Sequence, residues 1–146
     1  MKALNYKYFS GRNIYSHRPC IKMEVDLEGF KDIPSKDICG FNDKILELLP
    51  GLKKHRCGID EDMGFVKRLE EGTFLAHICE HIIIELQNIL GIEVSYGKAR
   101  EIEGDNYYIV YECKYKNTAI EAGNIAIKII NSIITKNELR LESELN

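Results

Sequence analysis

From Cys20 to Leu27 apolar and charged side chains alternate, with Ile21, Met23, Val25 and Leu27 set against Lys22, Glu24 and Asp26. A period of two puts the apolar set on one face of an extended chain and predicts a half-buried strand. Pro34 and Ser35 mark a loop. From Phe41 the spacing becomes helical, Ile45, Leu46, Leu48 and Leu49 falling on one side until Pro50-Gly51 stops the helix. Lys53 to Met63 is polar, contains Gly58, and reads as an ordered loop. A short helix is expected from Phe65 to Glu70, before Glu71-Gly72. The apolar run from Phe74 to Leu90 predicts a long core helix, capped by Thr73 and ended at Gly91.

Strand character returns in Val94 to Glu103 and Tyr107 to Tyr115, a hairpin around Gly104-Asp105-Asn106. Tyr107, Ile109, Tyr111, Cys113 and Tyr115 share one face of the second strand, and the tyrosines among them read as core rather than as a stacking platform. Asn117 or Thr118 opens a last Ile-rich helix to about Thr135, and the charged tail from Asn137 to Asn146 is expected to fray. The order β-α-α-β-β-α predicts an α+β two-layer sandwich, an antiparallel sheet with helices packed on one face.

Composition narrows the function. A chain of 146 residues with 45% hydrophobic and 29% charged content fits one globular domain, 1–146, with room for a core. A net charge of −3 gives no electrostatic reason to expect nucleic acid. Glu85, Gln87 and Asn88 interrupt the most apolar helix, so no membrane span is expected. Met1 to Ser10 lacks a signal-peptide core, and the five cysteines form no Cys-x-x-Cys pair. Reduced thiols in a cytoplasm are the simplest reading.

Within the long helix stands His77-Ile-Cys-Glu80-His81. Residues four apart lie above one another on a helix, so both imidazoles can reach one metal ion, with Glu80 beside it to handle the proton of a water. The order His-x-x-Glu-His is the inverted zincin signature. A catalytic zinc usually takes three protein ligands, and the sequence leaves the third open. Glu85 extends the 77/81 stripe but lies roughly 12 Å from His77 along the axis. His55, in the preceding polar loop, ranks beside it; those that do not bind are expected to support the ligands, and Cys57, behind both, reads more simply as a reduced loop thiol.

Several segments together carry a resemblance. They are Arg12-Asn-Ile-Tyr-Ser-His17-Arg18-Pro19, Leu49-Pro-Gly-Leu52 followed by His55 and Cys57, and Gly64-Phe-Val-x-Arg-Leu-Glu-Glu-Gly-Thr73. Ala76-His-Ile-Cys-Glu-His81, Glu85-Leu-Gln-Asn88 and Ser95-Tyr-Gly-Lys-Ala-Arg-Glu101 continue the series. Over roughly residues 10 to 135 the chain resembles the N-terminal domain of cyanophycin synthetase. The resemblance implies that this domain holds a polyaspartate chain bearing arginine on each β-carboxylate. In some members it implies a metallopeptidase-like site that cuts the polymer into primers. The matching residues are His77, Glu80 and His81. No Gly-rich phosphate loop occurs here, so polymerase chemistry is not expected of this chain.

The expected function is therefore a zinc-dependent hydrolase, or primer-generating peptidase-like domain, acting on cyanophycin or a related Asp/Arg isopeptide polymer, or on its dipeptide units. Glu80 would be the general base. Arg12, His17, Arg18, Lys98 and Arg100 would bind substrate, the arginines clamping carboxylates, while Glu101 and Glu70 or Glu71 would meet guanidinium groups. A non-catalytic polymer-binding module and a metal-dependent enzyme of a small metabolite are the alternatives. A homo-oligomer is compatible with all three.

Overall fold

The computed structural model describes residues 1–57 and 63–145. Strands β1 (Lys2–Phe9), β2 (Cys20–Asp26), β3 (Gly97–Glu103) and β4 (Asn106–Glu112) form one antiparallel sheet in the order β1-β2-β4-β3. Helices α1 (Phe41–Leu48), α2 (Gly64–Glu71), α3 (Leu75–Ile89) and α4 (Lys116–Leu145) pack against it, giving the expected α+β architecture. Short 3₁₀ turns occupy Ser35–Asp37 and Pro50–Lys54.

The register explains which face is buried. Ile21 pairs with Tyr111, Met23 with Ile109 and Val25 with Tyr107, and Ala99 lies beyond Ile109. These side chains join Ile78, Ile82 and Ile83 of α3 and Ala119, Ala126 and Ile130 of α4 in one core. Tyr111 is fully buried, and its hydroxyl donates to the Ala119 carbonyl at 2.7 Å, tying sheet to helix. At roughly 2 kcal/mol per buried branched aliphatic side chain, this layer dominates the fold's stability.

Several elements depart from expectation for local reasons. Strand β1 was not anticipated because a bulge between Ala3 and Asn5 shifts its pairing and breaks the period of two. β3 begins at Gly97 rather than Val94, since Ile92 and Val94 pack on Ile84 in a small cluster of their own. β4 ends at Glu112, and Tyr115, 62% exposed, instead accepts the first helical bond of α4 from Ala119. The loop expected from Lys53 to Met63 begins as the 3₁₀ turn at Pro50–Lys54, and its residues 58–62 lie outside the described ones. The backbone of α4 continues past Thr135 and through the expected tail as far as Leu145; Asn146 lies outside the described residues. No helix among the described residues is long and apolar enough to cross a membrane.

Candidate metal centre

The spacing of α3 does what four residues per step require: His77 and His81 bring their Nε2 atoms to 3.1 Å. Cys57 completes the group, its Sγ 3.1 Å from His77 Nε2. One ligand atom from each of Cys57, His77 and His81 lies within 4.8 Å of the others. Cys57 reaches this place from the other side of the cleft. Phe65 donates its backbone N–H to the His55 carbonyl at 2.9 Å, folding the approach to α2 back onto the 3₁₀ turn. Cys57 itself has φ +50°, a left-handed backbone that costs a non-glycine residue on the order of 1 kcal/mol. The strain aims the thiol at the two imidazoles.

The remaining imidazole atoms are occupied from behind. Thr73 is not the cap of α3, whose flanking residue is Phe74; its hydroxyl lies 2.8 Å from His77 Nδ1. His81 Nδ1 is 2.9 Å from His55 Nδ1, and His55 Nε2 is 3.1 Å from a Glu85 carboxylate oxygen. The two residues ranked first for the third ligand thus stand behind His81, away from the cluster, and the thiol ranked last stands in it. Gly51 leaves room for Glu85, whose carboxylate occupies the space a β carbon would need. Phe65 stacks on His81, ring centroids 4.2 Å apart, and meets His77 edge-on at 6.0 Å.

Burial sets the charge states. It pulls His77 down to about 4, helped by Arg68, and His81 down to about 2, helped by His77 and His55. Both rings are therefore neutral at neutral pH, the form that binds a metal. Burial raises the Cys57 thiol, against the pull of Arg68. Thiolate and neutral imidazole are donors that zinc accepts, and here three such atoms converge within reach of one ion. The donor set fits a metal ion.

Glu80 lies beside this cluster, buried between α3 and β3. Gly97 permits the closeness: a β carbon there would sit 2.8 Å from Glu80 Cγ and 3.1 Å from Oε1. Burial raises the Glu80 carboxyl to about 7, with Arg100 opposing. A carboxyl poised there is suited to exchanging protons at neutral pH.

The site opens into a cleft of about 790 Å³ whose lining includes His77, Glu80, His81 and five basic residues, Lys54, Arg56, Arg68, Lys98 and Arg100. Lys98 and Arg100 are expected at a substrate site; Lys54 and Arg56 are not, and Arg68 is marked only as part of the Gly64–Thr73 motif. Arg12 and His17 are exposed in the loop between β1 and β2, which Asn13 organises through Gly11, Tyr15, Ser16 and Arg18. Arg18 donates to Glu112 at 2.7 Å and lines a neighbouring cleft. Glu101 is tied to Lys31 at 2.6 Å, and neither it nor Glu70 nor Glu71 lines the site cleft.

With the geometry in place, comparison with known proteins supplies the lineage. Residues 22–135 match the family model of the cyanophycin synthase-like N-terminal domain. A cyanophycin synthetase of Geminocystis herdmanii is 39% identical over 138 residues, 92% of this chain and 16% of that protein. One of Crocosphaera subtropica is 36% identical over 137 residues, and one of Synechocystis sp. 33% over 144 residues, 97% of this chain. The chain spans 16% of the length of each of these relatives. It belongs to the family of cyanophycin synthase-like N-terminal domains.

Proposed function

We propose that this chain is a zinc-dependent hydrolase acting on cyanophycin or a related Asp/Arg polymer. The observation that carries the reading is the convergence of Cys57, His77 and His81 with the buried Glu80 alongside, at the floor of a basic cleft. Zinc held by those three side chains would supply the Lewis acidity that makes water a nucleophile near neutral pH. Thr73 and His55 hold the two imidazoles by their Nδ1 atoms, and Glu85 backs His55, so the rings keep their orientation. Glu80 takes the proton of the attacking water as oxygen bonds to the carbonyl carbon. It returns that proton to the leaving nitrogen as the C–N bond breaks, giving one carboxylate and one amine. Lys98, Arg100 and Arg68 meet the free carboxylates of the polymer.

The test is size analysis of soluble cyanophycin incubated with the protein, with and without chelator, beside the Glu80→Gln variant. Shortening should occur only with metal, and the variant should lose about two or more orders of magnitude in rate while keeping its metal. Binding without shortening would replace this reading with that of a polymer-binding module.

A further inference from the structure

Strand β3 closes the sheet on one side, so its outer edge has no neighbouring strand among the described residues. Which of its main-chain groups face outward follows from one bond. Glu112 donates its N–H to the Tyr96 carbonyl at 2.9 Å, and the register carries that phase on through Lys98 with Val110 and Arg100 with Tyr108. The amides and carbonyls of Lys98 and Arg100 therefore face β4, while those of Gly97, Ala99 and Glu101 face away. The Ala99 carbonyl fits this phase: it accepts from the exposed guanidinium of Arg100, at 2.9 Å. The same stretch, Gly97 to Arg100, is a wall of the cleft that holds His77, Glu80 and His81. At Gly97 the helix-facing side of this edge strand comes against Glu80.

We propose that this edge is a rail for substrate: an extended main chain carrying carboxylate groups pairs with Gly97 and Ala99 as a fifth strand, and so brings a carbonyl of its own over Glu80. The chemistry at that carbonyl rests on the hydrolase reading; the pairing does not. Strand addition suits a repetitive polymer because it recognises the backbone that every unit shares. The occupant is acidic because, among the described residues, Lys54, Arg56, Arg68, Lys98 and Arg100 line the cleft and Glu80 is the one carboxylate beside them. The rail is also short. The register shifts between Glu101 and Glu103, ending regular pairing just past the site. Lys98 and Arg100 guard the open edge against uncharged strands, as charges on edges generally do, while attracting an anionic one.

Backbone N-methylation tests the pairing with the protein unaltered. The probes are three oligomers of aspartate bearing arginine on each β-carboxylate. One is unmethylated, one methylated at every second backbone amide, and one methylated in pairs, two amides blocked and two free. The last two carry equal numbers of methyl groups. Only the alternating one keeps amides n and n+2 both free along one edge, which strand addition needs. The alternating oligomer should bind within about threefold of the parent and the paired one at least about tenfold more weakly, two hydrogen bonds being at stake. Equal affinity for the two methylated forms, or no binding of any, overturns the rail. Ala99→Pro gives a second reading. It removes an outward N–H and leaves the ladder bonds of Lys98 and Arg100 intact, so metal content should hold while affinity for the unmethylated oligomer falls about tenfold. Unchanged affinity in that variant also counts against the rail. Pattern-selective binding without cleavage would end the hydrolase reading and keep the rail; cleavage of both methylated forms at equal rates would do the reverse.

Discussion

Replacing Gly97 by alanine separates the geometry of the site from its chemistry. The new β carbon would lie 2.8 Å from Glu80 Cγ, 3.1 Å from Oε1 and 3.2 Å from Cδ. Ordinary carbon–carbon contact begins at roughly 3.5 Å, so about 0.7 Å of overlap must be relieved. The backbone of β3 is held by its pairing with β4, and α3 is fixed by the core, so the side chain of Glu80 is the part that moves. Turning it costs about 1–2 kcal/mol, in the range of mild overpacking, and the fold survives. Its carboxylate, however, shifts by something near 1 Å, and a misplacement of that size costs on the order of 100-fold in rate. The expected variant melts a few degrees lower, binds metal as the parent does, and cuts cyanophycin about 100-fold more slowly. Thermal unfolding, elemental analysis and the size assay read these three quantities separately. A Gly97→Ala protein of parental activity would refute the idea that β3 sets the position of Glu80.

Three further outcomes follow from the same contacts. Protein prepared without chelator should hold about one zinc per chain, and Cys57→Ser should weaken zinc binding at least tenfold in a competition titration; parental affinity would remove the thiol from the ligand set. Thr73→Val keeps the shape of the side chain but loses the hydroxyl 2.8 Å from His77 Nδ1, and should lower zinc affinity by about 10- to 100-fold with an unchanged circular dichroism spectrum. Burial pushes the Glu112 carboxyl up, but the Ser95 and Tyr96 amides and Arg18 outweigh it and hold it below the usual carboxylate range. Its stabilisation is thus complete above the unfolded value of about 4.3 and is lost as pH falls through the lower folded value. Glu112→Gln should cost about 1–3 kcal/mol at pH 7, and the gap to the parent should close below about pH 4; a gap constant with pH would contradict the assignment.

The sequence is legible where one period governs a whole element. β2 alternates without interruption, and α3 is apolar on all sides except its polar stripe, so both were readable, as was the His77/His81 step. β1 carries no such uninterrupted period, because its bulge shifts the phase partway along. The third member of the cluster was obscured for a different reason. Cys57 is 20 residues from His77, and what brings them together is a left-handed backbone and the fold-back of Phe65 onto His55. Neither leaves a periodic trace. His55 and Glu85 are both marked by type, but their 30-residue separation conceals that they contact each other and that His55 meets the cluster from behind, at His81 Nδ1. Thr73 has the residue type of a cap and sits where a cap belongs, and only the position of His77 shows that its hydroxyl is used elsewhere.

Charge gives the sharpest contrast between an average and a site. The chain carries 20 basic and 23 acidic residues, a near balance that points toward a surface of mixed sign. Among the described residues the cleft leans basic: five cations line it with Glu80, whose carboxyl burial raises to about 7. Screening decides which description a ligand meets. At physiological salt the Debye length is about 8 Å, so charges across the molecule are largely damped, whereas those lining one cleft add together. Distant acidic residues such as Glu28 and Glu47 therefore do little to cancel the field at the site. A polymer presenting carboxylates to that cleft and guanidinium groups away from it would be held on one side only. Its affinity should then fall steeply with added salt, more steeply than two interleaved rows of opposite charge would require.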